Sequence, residues 1–189
     1  MKNKIRKKII ILIIVAVLSG GMVFIFTHSV YYQSVQDSKQ LVGAIQVDDV
    51  QKATDIVKQN PKSVNALPST SPWWWQLISE SPEVFYPLQE ACSWENYDMV
   101  KLLIENGADV NLSYKGIESA APPLILAIQT QIKKPWMNEN PPSRETTIDI
   151  IRLLIEHGAD KSIKDSHGKT AYDYVVENGF SNLVELLRP

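Results

Sequence analysis

The side chains that most often perform catalysis are few and scattered in this chain of 189 residues. The three histidines, His28, His157 and His167, lie far apart, and no two of them have the spacing of metal ligands. No nucleophile elbow, phosphate-binding loop, dinucleotide-binding fingerprint or H-E-x-x-H motif occurs. Because each of these chemistries needs its residue types at a set spacing, we find no argument for an enzyme and expect no cofactor or metal.

The acidic residues have simpler explanations than acid-base catalysis. Asp109 and Asp160 occupy the same place in two similar segments, so we interpret them as turn-forming residues. The other acidic pairs are most simply solvated surface: Asp48 with Asp49, and Glu80 with Glu83. Cys92 is the only cysteine, which excludes an internal disulfide and a cysteine-based zinc cluster, and we interpret it as a small buried apolar residue.

The charge distribution argues against nucleic acid as a partner. The formal net charge is -2, but residues 1–8 contain five Lys and Arg and no acid. The remaining chain therefore has 14 Lys and Arg against 21 Asp and Glu, a charge of about -7. Phosphate binding needs clustered cations, so an acidic surface would suit a basic protein instead.

Tryptophans are the residues best suited to recognition. Trp73, Trp74 and Trp75 stand together in PWWW, and tryptophan is enriched in binding hot spots. The alternatives are that they pack as a small core of their own loop, or that they contact a membrane interface. Trp136 has the same ambiguity. The candidate partner contacts are Trp73, Trp74, Trp75, Tyr114, Lys115 and Trp136.

An apolar segment precedes the region that carries these residues. Residues 9–26 contain no charge, and 18 helical residues span about 27 Å, close to the ~30 Å hydrocarbon layer. The segment therefore predicts a transmembrane signal anchor, with a signal peptide cleaved near Ser19 to Gly21 as the alternative. The basic residues 1–8 favour a cytoplasmic amino terminus, which places a tether at 27–37 and the rest in the periplasm or outside the cell.

A short repeat indicates the architecture of the remaining chain. Residues 102–111, LLIENGADVN, recur as LLIEHGADKS at 153–162, with seven of the first eight positions identical. Apolar residues recur at helical spacing in both copies: Met99, Val100, Leu102 and Leu103, and Ile150, Ile151, Leu153 and Leu154. Gly107 and Gly158 follow directly, where a residue with positive φ commonly ends a helix. A proline begins the shorter helix expected before each copy.

With its period and its G-A-D ends, the chain resembles the ankyrin repeat family. Leu153 and Leu186 are 33 residues apart, and the family unit has about 33 residues with a T-P-L-H-x-A start. The resemblance implies an all-α solenoid of about four helix-turn-helix units after the transmembrane helix, at about 38–66, 86–112, 122–163 and 165–188. The two outer units are interpreted as caps.

The resemblance has departures. Only Thr170 keeps the threonine of the family's turn, and Tyr86 and Pro122 replace it elsewhere. The motif histidine is replaced by Gln89, Ile125 and Asp173. We therefore expect irregular turns that have lost the side-chain hydrogen bonds of the family.

Two insertions interrupt the array, LPSTSPWWWQLISESPEV between the first two units and QIKKPWMNENPPSRET between the helices of the third. The family's geometry implies that they leave from opposite edges. The resemblance also implies a binding role, so we interpret the chain as a bacterial single-pass membrane protein whose array binds a protein of unknown identity. Two alternatives stay open: an immunity protein neutralising a periplasmic or membrane-acting toxin, and a regulator or stabiliser of an envelope or stress-defence enzyme.

Overall fold

The computed structural model describes residues 32–68, 85–113, 121–133 and 144–188. Within these ranges the chain forms eight α-helices, one 3-10 turn at Pro61–Asn65 and no strand. The described part of α1 is 32–46. The others are α2 (Val50–Gln59), α3 (Pro87–Ser93), α4 (Tyr97–Glu105), α5 (Pro123–Lys133), α6 (Arg144–Glu156), α7 (Ala171–Glu177) and α8 (Ser181–Leu187).

The helices pack in pairs, α3 with α4, α5 with α6 and α7 with α8, and the pairs stack side by side. The first helices contact one another in the order α3, α5 and α7, and the second helices in the order α2, α4 and α6. One apolar core runs through the stack from Leu41 to Leu187, with Leu103 and Leu154 fully buried between helices. The all-α repeat array expected from the sequence is therefore confirmed.

The helix ends follow from local sequence. Pro87 and Pro123 are the first residues of α3 and α5, as expected. Gly107 and Gly158 follow the ends of α4 and α6 with φ of 84° and 88°. An L side chain is strained in this left-handed region, which explains glycine at both places.

The expectation that the unit starts have lost their side-chain hydrogen bonds is wrong at two positions. Gln89 accepts a bond from the backbone N–H of Tyr86 at 2.9 Å and donates to the carbonyl of Ala121 at 2.7 Å. Asp173 accepts from the backbone N–H of Thr170 at 2.8 Å, and Thr170 accepts from the backbone of Asp173 at 3.2 Å. An amide or a carboxylate at these positions thus provides the hydrogen bonds that the family histidine was expected to supply.

The predicted tether also needs correction, because residues 32–37 are helical as part of α1. Val35 is buried, and Asp37 accepts a hydrogen bond from the side chain of Asn60 at 2.8 Å. Ser38 donates to the carbonyl of Ala66 at 2.5 Å. These contacts hold α1 against the end of the first repeat. The folded region therefore begins before residue 38, and the chain from Val35 onward forms one compact region.

The predicted anchor at 9–26 lies outside the described residues. In the four described ranges, no helix combines the length and the apolar character needed to cross a membrane.

Candidate functional site

The array has two edges that differ in chemistry. We call the edge formed by the links between units the finger edge; its described parts are 60–68, 85–86, 107–113, 121–122 and 158–170. We call the edge formed by the turns within units the helix-turn edge; it comprises 46–49, 93–98, 146–147 and 178–182. The predicted contacts Trp73, Trp74, Trp75, Tyr114, Lys115 and Trp136 all lie outside the described residues.

Asparagine bridges connect successive units at the finger edge. Asn65 donates to the carbonyl of Gly107 and accepts from the backbone N–H of Asp109, both at 2.8 Å. Asn111 does the same one unit later, donating to Gly158 at 3.0 Å and accepting from Asp160 at 2.8 Å. The bridges use both polar atoms of each amide, so they fix the spacing of successive glycine turns.

Asp109 and Asp160 shape these turns as the sequence predicts. Asp109 accepts from the backbone N–H of Asn111 at 2.9 Å. Asp160 accepts from the backbone and hydroxyl of Ser162 at 2.8 and 2.6 Å, and these bonds hold the pKa of Asp160 below its usual range. Both carboxylates therefore have structural partners.

Asp165 organises the finger before the fourth unit. Its carboxylate accepts from the backbone N–H groups of His167 and Lys169 at 2.9 and 3.1 Å and from the Tyr174 hydroxyl at 2.6 Å. Burial alone would raise the pKa of Asp165, but these bonds and the nearby His167 ring outweigh it and lower the pKa. The turn at 165–169 is thus held by hydrogen bonds to Asp165, and the His167 ring remains exposed.

At the helix-turn edge, a buried carboxylate holds a tryptophan at the surface. Glu90 is buried, and its Oε1 accepts from the indole N–H of Trp94 at 2.9 Å and from the amide of Gln46 at 2.8 Å. Trp94 remains 53% exposed. Since the N–H is occupied by Glu90, what this side chain presents to solvent is its apolar ring.

Two turns of this edge adopt a conformation that favours glycine. Asp48 and Glu95, one residue before the N-cap of α2 and of α4, both have φ of 56°. The corresponding residue of the fourth unit is Gly179, with φ of 70°. The side chains of Asp48 and Asn96 join the first two turns through a hydrogen bond of 2.7 Å.

Glu95 also connects the second unit to the third. It is 4% exposed, and its Oε1 accepts from Gln131 at 2.8 Å and from the hydroxyl of Thr147 at 3.3 Å. Gln131 and Thr147 bond to each other at 2.6 Å. A strained residue is therefore held by partners on both helices of the next unit.

These groups surround a groove of about 400 Å³. Its lining comes from the first two turns and the start of α6: Ile45, Gln46, Asp48, Trp94, Glu95, Asn96, Tyr97, Asp98 and Thr146. Three of the nine are acids, and none of these described residues is Lys or Arg. We call this site the helix-turn groove. Its lining combines the aromatic rings of Trp94 and Tyr97 with the carboxylates of Asp48 and Asp98.

A second, smaller cavity of about 280 Å³ lies on the same edge between the last two units. Ile128, Thr147 and Phe180 are among its lining residues, and no acid lines it in the described part of the chain. Its lining offers little charge to select a partner.

Cys92 and His157, the other side chains that could take part in chemistry, lie in places that the fold itself explains. Burial raises the pKa of the Cys92 thiol far above its usual range, so the thiol stays protonated. His157 lies at the end of α6, with its Nδ1 at 2.9 Å from the carbonyl of Leu153. Among the residues whose placement is described, no three His, Cys, Asp or Glu could share a metal ion.

Sequence reasoning did not identify the helix-turn groove. Two signals point to it in retrospect. Glu90 is the one charged residue of the helix PLQEACS, whose first six residues are buried. In addition, SWEN has no glycine where the corresponding turn of the last unit, ENGF, has Gly179. A buried carboxylate indicates a fixed partner, here Trp94.

Comparison with known proteins agrees with this geometry. A family model described as ankyrin repeat matches residues 85–115, which contain α3, α4 and the glycine turn after them. The mouse protein ankyrin repeat and SOCS box protein 11 is 29% identical over 100 residues. The match covers 53% of this chain and 25% of the mouse protein, so the chain spans about a quarter of that relative's length.

Proposed function

We propose that this chain, which belongs to the ankyrin repeat family, binds another protein through the edges of its repeat array. Ankyrin repeats are protein–protein interaction modules, and this gives the broad class of function. Helix packing already buries the apolar face of every unit. The two edges of the array take little part in this packing and are therefore available to bind a partner.

The helix-turn groove is the observation that carries this proposal. An exposed tryptophan beside a concave surface is typical of protein interfaces, where aromatic anchors contribute much of the binding free energy. The exposed carboxylates of Asp48 and Asp98 give the groove a negative rim, which favours a partner with a basic surface.

We further propose that residues 9–26 anchor the protein in the cytoplasmic membrane and that the array lies in the periplasm or outside the cell. The support is the uncharged segment together with the five Lys and Arg before it.

The charge also favours a narrower second function, that of an immunity protein. A chain that carries about -7 after residue 8 would attract a basic toxin arriving at the membrane surface. Protection of cells against a co-encoded toxin would support this function. If cells lacking the chain survive such a toxin equally well, the immunity role is wrong while the binding role still stands.

The binding proposal is tested by site-specific photo-cross-linking of the full chain in its own host cells. A photoreactive phenylalanine analogue replaces Trp94 on the helix-turn edge, His167 on the finger edge, or Glu105 on the exposed face of α4. We expect one discrete protein adduct from position 94 or 167 and none from position 105. Absence of an adduct from both edge positions, or equal adducts from all three, would contradict the proposal.

A further inference from the structure

We propose that the helix-turn groove receives an arginine side chain of the partner protein, stacked on the ring of Trp94 with its guanidinium beside Asp48 and Asp98. The inference rests on the proposed binding function and specifies the chemistry that the partner presents. The proposed arginine site lies on the helix-turn edge, opposite the finger edge.

The first support is the way in which Trp94 is held. Its indole N–H is tied to Glu90, and Gln46 ties the same carboxylate to α1, so two units fix the orientation of the ring. A large aromatic residue that is 53% exposed yet fixed by a buried acid contributes little to the core. The arrangement is preorganised, which reduces the entropy lost when a partner binds.

The second support is the charge around the ring. Asp48 uses one oxygen to accept from Asn96, and Asp98 makes no hydrogen bond or ion pair with other described residues. Asp98 stands in the first turn of α4, where its side chain is exposed to solvent. Carboxylate oxygens and an aromatic ring thus line the same groove, a combination that attracts a cation.

Arginine fits this combination better than the other possible side chains. Its planar guanidinium stacks on an aromatic ring while donating in the plane to carboxylates. Lysine carries a strongly hydrated point charge that cannot stack in this way. A neutral apolar side chain would desolvate the rim carboxylates without compensating them, and an anion would be repelled.

The test is NMR titration of the full ¹⁵N-labelled chain, solubilised in a mild detergent because of its apolar segment. The indole N–H signal of Trp94 is identified by its absence in Trp94→Phe. The probe is an alanine pentapeptide with a central arginine, blocked at both ends. Matched peptides carry lysine or citrulline, which has nearly the shape of arginine without its charge. We expect the Trp94 signal to move with millimolar arginine peptide, less with lysine peptide, and not with citrulline peptide.

Variants separate the two components of the site. Trp94→Leu should abolish the response of the neighbouring backbone signals, Trp94→Phe should keep part of it, and Asp98→Asn should weaken binding about fivefold. Glu185→Gln removes an exposed negative charge on α8, away from the groove, and should leave binding unchanged. Unchanged thermal unfolding of each variant confirms that the array remains folded.

Equal responses to arginine and citrulline peptides, or no response to either, would overturn the inference. Equal responses to arginine and lysine peptides would overturn the stacking on Trp94. A cross-linked partner found without any peptide response rejects this inference alone, whereas peptide binding without any cross-linked partner rejects the proposed function.

Discussion

Glu95 adopts a left-handed backbone conformation although its side chain has a Cβ. Alanine and glycine at this position would both lose the hydrogen bonds to Gln131 and Thr147. Alanine would keep the backbone strain of the positive φ, whereas glycine would relieve it. We therefore expect Glu95→Gly to be more stable than Glu95→Ala by about 1 kcal/mol, the reverse of their usual order.

Denaturant unfolding of the two variants measures this difference, with Glu95→Gln as the control. Glutamine can still accept from Gln131 and Thr147, so Glu95→Gln should lie closest to the parent protein. If the alanine variant is as stable as the glycine variant, the backbone at Glu95 is not strained in solution.

Asp165 predicts a pH dependence of stability. Its pKa is lower in the folded state than the value of about 3.9 in an unfolded chain. A lowered pKa means that the unfolded state binds the proton more tightly, so the carboxylate stabilises the fold above about pH 4. This contribution is lost as the pH falls through the folded-state pKa.

The substitution Asp165→Asn should remove that part of the acid dependence. It should also destabilise the protein at pH 7 by about 1–3 kcal/mol, because an amide cannot accept at every atom that the carboxylate now uses. Unfolding measured from pH 7 to pH 3 should therefore show a flatter decline for the variant. Parallel curves for the variant and the parent protein would show that Asp165 does not titrate as inferred.

At the scale of elements, the asparagine bridges predict how successive helix pairs are held together. Asn111→Ala removes two hydrogen bonds between the second and third units, so we expect a loss of about 1–2 kcal/mol in unfolding free energy. Asn178 is the matched control, since its one side-chain bond to a described residue stays within its own unit, at 2.9 Å from the carbonyl of Tyr174. If Asn178→Ala costs as much as Asn111→Ala, the bridges have no special role in stacking.

The sequence predicted the helix pairs because their signals are local. A proline begins α3, a glycine turn follows α4, and the apolar residues between recur at one helical period. The helix-turn groove could not be predicted in the same way, because Gln46 reaches Glu90 and Asp48 reaches Asn96 only after two units have stacked. The helical start of α1 was missed because its polar sequence carries little periodicity, and its contacts with Asn60 and Ala66 are tertiary.

For the whole molecule, the proposed topology predicts where the carboxyl terminus lies. An alkaline phosphatase fused after Pro189 should be active, because that enzyme folds only after export and the charge bias favours export of the array. A reporter that works only in the cytoplasm, fused at the same place, is the control and should be inactive. The opposite pattern would reverse the proposed location, and a mature protein that starts near Gly20 would replace the anchor with a signal peptide.

Each long insertion is bypassed by an asparagine bridge. Asn65 precedes the first insertion and bonds to the turn of the next unit at Gly107, and Asn111 precedes the second insertion and bonds at Gly158. Both bridges connect successive units directly, so these contacts do not pass through either insertion. We therefore expect the two insertions to vary in length between related proteins more freely than the array, because the asparagine bridges do not depend on them.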